Sequence, residues 1–385
     1  MIVGGEHEVA ALLPSGRFDP SFGKHGVARL VRPPGRSVEI SEIAADPEGR
    51  PVAVGGDYGS GSGGSFVERL TPTGHIDRSF GEGRGYLSSN FGISAPPTGG
   101  PPSSSLESID FDSVGRMIVT GRAVTGTEPG PAFTGSKPEP KKESFVARIE
   151  EAGTLDTSFA NGGTFIDEGI NLLPGAWDVD QNVPRFWSPG PASGVAVRAS
   201  QDEAESVLHL REDGSPDPAF GSGGYVPYPS GTYAGPLVDP DGRTITWGYL
   251  EGVPKHLPNG LRITRLTPDG SPDPSFGRNG SVNLRIPDFF VGELATDEQG
   301  RILIAAQMKG RHFNEGKELA LIRLQSDGKL DRSFGHGGII RIPVPGGQDA
   351  SIYLEGMDVR GDQAVIGASY CGPCNPVVAL VDLGD

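Results

Sequence analysis

The chain has 385 residues and a net charge of −16, from 33 basic and 49 acidic side chains. This acidic balance argues against nucleic acid or an anionic membrane as a partner, and no apolar run is long enough to span a bilayer. The 60 Gly and 35 Pro residues, with apolar residues in short runs, predict many short strands joined by tight turns. Residues 1–5 and the charged residues after them carry no secretion signal.

The most regular feature is a five-residue motif, Asp-x-Ser-Phe-Gly or a close variant, which occurs six times. Its aromatic residues are Phe22, Phe80, Phe159, Phe220, Phe276 and Phe334. Asp favours the N-cap of a helix, Pro the first helical position, and Gly the left-handed conformation that ends a helix. The motif therefore predicts one short helical turn, capped at both ends, whose Phe anchors the loop in a core.

Successive motif Phe residues are 58, 79, 61, 56 and 58 positions apart, which indicates a supersecondary unit of about 57 residues. Each unit contains a short strand after the motif, a segment ending in an Asp-x-x-Gly-Arg turn, an apolar strand closing in Gly or Ala, and an alternating strand. Examples are residues 26–30, 46–50, 51–56 and 65–70. Four short antiparallel strands repeated around a ring predict an all-β fold, the β-propeller.

The sequence of residues 327–338, Asp-Gly-Lys-Leu-Asp-Arg-Ser-Phe-Gly-His-Gly-Gly, resembles the repeat of the delta-sixty family of bacterial proteins. The resemblance extends over essentially the whole chain. It implies a propeller-like fold, often found in exported or envelope proteins, with no established biochemical activity. Kelch propellers share a double Gly such as Gly55-Gly56, but the aromatic pattern that follows it in kelch repeats is missing here.

The strand that closes in Gly and the strand after it each occur seven times, whereas the motif occurs six times. We therefore expect one domain, residues 1–385, forming a seven-bladed propeller with an incomplete first blade. The predicted units are 1–13, 14–70, 71–149, 150–210, 211–266, 267–324 and 325–385. The missing part of the first unit, roughly 40–50 residues, would precede Met1 and is a place for an export signal. A six-bladed ring with residues 1–13 as an extra hairpin is the alternative.

Three stretches interrupt the repeat. Residues 92–105 and 125–143 are rich in Pro, Gly or charge and predict extended loops on the faces of the propeller. In the third full unit, residues 177–187 replace the Asp-x-x-Gly-Arg turn and contain Trp177, Phe186 and Trp187. Aromatic residues on a loop are typical of recognition surfaces, so these three predict a binding patch. Packing of a distorted blade is the other explanation.

Acidic residues recur on or near the predicted innermost strands. They are Glu42, Glu107, Asp178, Glu293 and Glu355. On strands that line a channel they would focus negative potential at one mouth and attract a cation or a basic partner. Two carboxylates about 5–10 Å apart could also act as acid and base in glycan cleavage. A water-filled channel is lined by polar residues in any case, and the Asp of each Asp-x-x-Gly-Arg turn is better explained by an Asx-turn than by calcium.

Cys371-Gly372-Pro373-Cys374 has the spacing of the thiol–disulfide exchange motif of thioredoxin-like proteins. That chemistry needs a helix N-terminus, whereas here the motif falls between two strands. A loop-stapling disulfide between Cys371 and Cys374 is the preferred interpretation, and a free thiol pair or a redox site are the alternatives. The seven His residues show no metal-ligand spacing, so we expect no metal and no cofactor.

These observations predict a non-enzymatic, monomeric repeat scaffold that binds an unknown protein or glycan in the cell envelope or outside the cell. The candidate binding residues are Trp177, Phe186, Trp187, Glu42, Glu293 and Glu355. The alternative is a propeller hydrolase or lyase that acts on glycans at the mouth of the channel, with no catalytic residues identifiable from the sequence.

Overall fold

A computed structural model provides the fold. It describes residues 1–4, 7–31, 33–59, 62–93, 103–112, 114–128, 139–166, 171–172, 187–189, 194–201, 204–229, 232, 234–250, 260–285, 289–309, 316–344, 351–371 and 375–384. Within these ranges the structure is all-β and contains no helix. The strands form seven antiparallel blades in a ring, so the predicted seven-bladed propeller is confirmed.

The strands follow one another around the ring in chain order. Blade 1 has β1 (Ile2–Gly4), β2 (Glu8–Ala11) and β3 (Val27–Arg29), and blade 2 has β4 (Ser37–Ala45), β5 (Pro51–Gly59), β6 (Ser62–Arg69) and β7 (Tyr86–Ser89). Blade 3 has β8 (Ser103–Phe111), β9 (Met117–Glu128), β10 (Glu139–Ile149) and β11 (Thr164–Phe165). Blade 4 has β12 (Asn171–Leu172), β13 (Trp187–Pro189), β14 (Val195–Gln201), β15 (Ala204–Leu210) and β16 (Tyr225–Pro227).

The remaining blades repeat this order. Blade 5 has β17 (Ala234–Val238), β18 (Thr244–Tyr249), β19 (Leu261–Leu266) and β20 (Ser281–Leu284). Blade 6 has β21 (Phe289–Thr296), β22 (Ile302–Lys309), β23 (Gly316–Leu324) and β24 (Ile339–Pro343). Blade 7 has β25 (Ser351–Arg360), β26 (Gln363–Cys371) and β27 (Asn375–Asp382). In the described part of the chain, blade 1 therefore lacks an inner strand and blade 7 lacks an outer strand.

Two of the predicted loops are shorter than expected. Strand β8 begins at Ser103, and β9 and β10 extend the hairpin of blade 3 through Glu128 and from Glu139. The prediction of loops over the whole of 92–105 and 125–143 is wrong for these flanks. The reason is strand pairing: Ser103 lies opposite Val124, so the polar flanks continue the ladder at an exposed sheet end.

The core of the protein is divided among the junctions between blades. Alternate residues of one strand face opposite neighbours: Ile302 and Ile304 pack towards blade 5, whereas Leu303 and Ala305 pack towards blade 7. Six apolar clusters join blades 1 and 2, 2 and 3, 3 and 4, 4 and 5, 5 and 6, and 6 and 7. Each cluster contains one motif Phe, and all six Phe side chains are buried.

The Asp of each motif caps a turn rather than a helix. In blade 5, an oxygen of Asp273 accepts the Ser275 N–H at 2.8 Å and the Ser275 hydroxyl at 2.7 Å, while the Phe276 N–H donates to the Asp273 carbonyl. The next residue, Gly277, donates its N–H to the Asp327 carbonyl in the turn of blade 6. The motif therefore connects each blade to the following one.

A buried arginine completes the motif in four blades, which the sequence did not lead us to predict. Its Nε donates to the motif Asp at 2.6–2.7 Å, and its guanidinium lies 4.3–4.9 Å from the centre of the motif Phe ring. Its Nη1 donates to a carbonyl of the next blade. We call this arrangement the arginine clamp; its pairs are Arg69–Asp77, Arg148–Asp156, Arg265–Asp273 and Arg323–Asp331.

Candidate functional site

The two ends of the blades differ in how regular their connections are. We call the end with the Asp-x-Ser-Phe-Gly motifs the motif face, and the opposite end the hairpin face. On the motif face, first and second strands are joined by five residues in four blades: 46–50, 112–116, 239–243 and 297–301. On the hairpin face, second and third strands are joined by connections of two to eleven residues: 60–61, 129–138, 202–203, 250–260, 310–315 and 372–374.

The acidic residues of the motif-face turns are occupied by internal bonds. One oxygen of the buried Asp297 accepts the N–H groups of Gln299 and Arg301, and its other oxygen accepts the Arg301 Nε at 2.5 Å. The same arrangement holds Asp46, Asp112 and Asp239. These turns are Asx-turns with an ion pair, and they leave the hairpin face as the region where blades differ chemically.

A buried polar cluster lies at the hairpin face of blades 2 and 3. Asp57 is fully buried at the end of β5, and its carboxylate is 3.0 Å from an Arg36 guanidinium nitrogen and 2.5 Å from the Ser88 hydroxyl. Beside it, the Ser104 hydroxyl of blade 3 accepts the Ser65 N–H at 3.2 Å and lies 3.4 Å from the side-chain oxygen of Asn90. Acceptors and donors from two blades therefore converge at one point of this face.

An exposed aromatic residue adjoins this polar cluster. Tyr58 follows Asp57 in the sequence and is one of the exposed large apolar side chains. Its phenol lies over Gly56, where a Cβ atom would come within 2.6 Å of the hydroxyl oxygen, and it is hydrogen-bonded to Ser105 of blade 3. An aromatic ring beside buried polar groups is the chemistry expected of a recognition site. The sequence analysis missed this cluster because its members are spread over residues 36–105.

Two of the predicted channel carboxylates connect neighbouring inner strands. Glu42 in blade 2 and Glu293 in blade 6 each follow a β-bulge. Glu42 accepts the N–H of Ile109 of blade 3 at 2.9 Å, and Glu293 accepts the N–H of Met357 of blade 7 at 2.6 Å. Both carboxylates thus satisfy backbone donors of the next blade.

Two others are bulge residues and form bonds within their own blade. Glu107 pairs with Arg122 at 2.8 Å, and the exposed Glu355 accepts the Ser369 hydroxyl at 2.5 Å. Burial raises the pKa of Glu107, although Arg122 opposes this shift. Asp178 lies outside the described residues. The four described carboxylates belong to four different blades, and in the described part of the chain no three His, Cys, Asp or Glu side chains form a group that could hold a metal ion.

The other predicted site residues are placed only in part. Trp187 begins β13 of blade 4 opposite Val197, whereas Trp177 and Phe186 lie outside the described residues. Cys371 ends β26 opposite Ser351, and Cys374 lies outside the described residues, so the disulfide stays a prediction. Within the described ranges, the structure contains no helix that is long and apolar enough to cross a membrane.

One histidine occupies a position that the arginine clamp fills elsewhere. His209 of blade 4 lies eight residues before the motif Asp217, like the clamp arginines, and stacks on the motif Phe220. Its Nε2 is 2.8 Å from the Thr244 hydroxyl of blade 5. Burial lowers the pKa of His209 to about 4, against the opposing field of Asp217. The junction of blades 4 and 5 is therefore held by a neutral ring.

Comparison with known protein structures gives propeller-containing enzymes at low similarity. A puromycin-hydrolysing peptidase of Mycobacterium tuberculosis matches with 12% identity and a TM-score of 0.46, over 99% of this chain and 51% of that chain. A post-proline cleaving enzyme from Rickettsia typhi matches with 9% identity and a TM-score of 0.46, over 99% and 51%. A GH43 endo-arabinanase from Bacillus licheniformis has 13% identity and a TM-score of 0.29, over 88% and 91%.

The chain spans about half the length of these two peptidases, and the similarity carries no information on activity. No curated protein sequence matches the chain. The model of the family described as "Domain of unknown function (DUF5122) beta-propeller" matches residues 258–276 and 300–334, which include parts of blades 5 and 6 and the motifs of Phe276 and Phe334. This match supports a family of propeller-repeat proteins.

Proposed function

We propose that this chain is a non-enzymatic binding scaffold of the delta-sixty repeat type, and that it binds a glycan or a protein at its hairpin face. The observation that carries the proposal is the contrast between the two faces. The motif face repeats the same bonded turns from blade to blade, whereas the hairpin face presents connections of two to eleven residues. Binding residues are characteristically found on variable connections that a rigid framework positions.

The polar cluster of blades 2 and 3 is the proposed contact point on this face. Tyr58 offers an exposed ring, and Asp57, Ser88 and Asn90 supply polar atoms beneath it. A ligand with hydroxyl or amide groups on one side and an apolar surface on the other complements this combination. Trp187, on the inner strand of blade 4, is the second residue that we propose for ligand contact.

The proposal is tested by screening the purified protein against immobilised glycans, peptidoglycan and envelope protein extracts. A binding hit should lose about tenfold or more in affinity in Tyr58→Ala or Trp187→Ala, as expected for aromatic anchors. Val114→Ala is the matched control, because Val114 is exposed on the motif face, and it should bind like the wild type. Equal affinity in all variants would remove the hairpin face as the binding site.

The same screen also addresses an enzymatic role. Each bound glycan is incubated with the protein and assayed for released reducing ends or unsaturated products. We expect no turnover, because Glu42 and Glu293 are engaged with backbone N–H groups of neighbouring blades. Product release that Glu42→Gln or Glu293→Gln abolishes would replace the scaffold proposal with a hydrolase or lyase.

A further inference from the structure

The junction between blades 7 and 1 differs from the other six. Among the described residues it contains no apolar cluster and no motif Phe, whereas every other junction has both. On the channel side, the Arg360 guanidinium of blade 7 donates to the Ala45 carbonyl of blade 2 at 2.8 Å, past blade 1. We call this junction the seam.

The blade 1 side of the seam has the shape of an acceptor for a motif. In blades 2 to 6, the Gly of the turn after the third strand packs against the motif of the preceding blade: a Cβ atom on Gly153 would come within 2.6 Å of Phe80. The corresponding Gly16 of blade 1 has no heavy atom within 4 Å of such a position. The flanking Leu13 and Phe18 are 37% and 57% exposed.

The hydrogen-bond acceptors of this turn are also available in blade 1. In blades 2 to 6, the carbonyl one residue before the Gly accepts the N–H that follows the motif Phe of the preceding blade; these carbonyls belong to Thr73, Ala152, Asp213, Asp269 and Asp327. Ser15 is the corresponding residue of blade 1. No described motif donates to its carbonyl.

The blade 7 side of the seam has a strand edge and an apolar face. Strand β27 pairs with β26, and in the described chain no strand lies on its outer edge, where β24 lies in blade 6. The repeat aligns Val378 and Leu380 with Leu319 and Leu321 of blade 6. The blade 6 residues are fully buried in their junction, whereas Val378 and Leu380 are half-buried.

We infer that the seam is a docking site for an extended polypeptide segment, which pairs with the outer edge of β27 and places an aromatic turn against residues 13–18 of blade 1. The occupant must carry a Phe-Gly turn followed by a strand, because this is what fills the corresponding space in the other six junctions. Main-chain pairing with an exposed sheet edge would supply affinity, and the aromatic pocket would supply specificity. This site is separate from the hairpin face.

Charge adds a further requirement for the occupant. Asp382 of blade 7 stands where Arg323 stands in blade 6, one residue before the Leu that ends the third strand. In blade 6 that arginine pairs with the motif Asp331 at 2.7 Å. An Asp in the incoming turn would instead face Asp382, so the matching segment carries a basic residue at this place.

A synthetic peptide with the sequence of residues 325–344 and the change Asp331→Arg is the probe, titrated into the purified protein by isothermal calorimetry. We expect saturable binding of one peptide per chain. A peptide with Phe334→Ala in addition should bind about tenfold or more weakly. The peptide with the original Asp331 should bind about threefold to tenfold more weakly at low salt, with the difference shrinking at high salt.

Protein variants and association state complete the test. Phe18→Ser should weaken peptide binding about fivefold to tenfold, while Val114→Ser, at an equally exposed apolar residue of another turn, should leave it unchanged. Equal binding of the Phe334→Ala peptide, or no effect of Phe18→Ser, would overturn the inference. Light scattering that shows a dimer dissociated by Phe18→Ser, with no peptide binding, would identify the occupant as a second copy of this chain instead.

Discussion

The ring of His209 lies on the ring of Phe220, with the two centroids 3.6 Å apart and the planes inclined by 4°. In four other blades an arginine lies over the motif Phe at this place and bonds to the Ser of the motif in three of them. Here that Ser is also replaced, by Ala219. Arginine and its hydroxyl partner are lost together, and a stacked neutral ring packs the space that they leave.

The first prediction concerns the pH dependence of this junction. The pKa of His209 falls from 6.5 to about 4 on folding because the ring is buried. The unfolded chain therefore takes up the proton first, and the free energy of unfolding should fall as the pH drops from about 6.5 to about 4. The slope is at most about 1.4 kcal/mol per pH unit. Urea titrations of the wild type and His209→Gln should show this component in the wild type alone.

An exposed histidine provides the control for that experiment. His336 lies in the exposed motif loop of blade 6, and His336→Gln should reproduce the wild-type curve. A His209→Gln curve with the same slope as the wild type between about pH 6.5 and pH 4 would contradict the prediction.

The second prediction has the opposite sign. Glu68 is fully buried on β6, its two oxygens accept the Val31 N–H at 3.0 and 2.8 Å, and burial raises its pKa to about 7. The folded chain holds this proton more tightly, so the contribution of Glu68 is present below its ordinary pKa of 4.5 and is lost as the pH rises through about 7. Glu68→Gln should therefore be more stable than the wild type at about pH 8, and the difference should shrink towards about pH 5.

The third prediction tests the arginine clamp. Arg265→Leu leaves the buried Asp273 without its cation and removes the donor to the Ser326 carbonyl of blade 6. Breaking a buried pair by removing one partner costs about 3–5 kcal/mol, which chemical denaturation would detect. Arg278→Leu, at an exposed position of the same loop, should change the stability by less than about 0.5 kcal/mol. Similar losses in the two variants would show that the clamp contributes nothing specific.

The fourth prediction concerns the inner strands. Glu293→Ala leaves the Met357 N–H of blade 7 without its acceptor, and an unsatisfied buried donor costs about 1–3 kcal/mol. Glu355→Ala, at an exposed bulge residue, should cost less than about 0.5 kcal/mol. A larger loss for Glu355→Ala, measured by urea denaturation, would contradict the assignment of Glu293 as an inter-blade contact.

Much of the fold follows from local rules that a sequence displays directly. The period of about 57 residues, the Asx-capped turns and the apolar strands specified blades, because Gly and Asp at fixed offsets leave few backbone conformations open. The count of six motifs against seven strand pairs also identified the blade that lacks a strand. The strand ends were less accessible: the polar flanks at Ser103 and Glu139 extend strands because their partners do.

The contacts between blades were harder to foresee. Arg323 reads in sequence as one polar residue in an alternating strand, and its burial depends on Asp331, Phe334 and a carbonyl some 60 residues away. Likewise, Glu42 and Glu107 look equivalent in sequence, but a bulge shifts their register, so one bonds across blades and the other within its own. Local patterning does not encode such pairings.

The six junction clusters also determine how the molecule would come apart. A toroid with a core in each junction must break two of them before any blade is released. This chain has a core in six described junctions and none at the seam, so energetically it is a linear array of blades bent into a circle. In such an array each terminal blade is held by one neighbour, and unfolding proceeds from blades 1 and 7 towards blade 4.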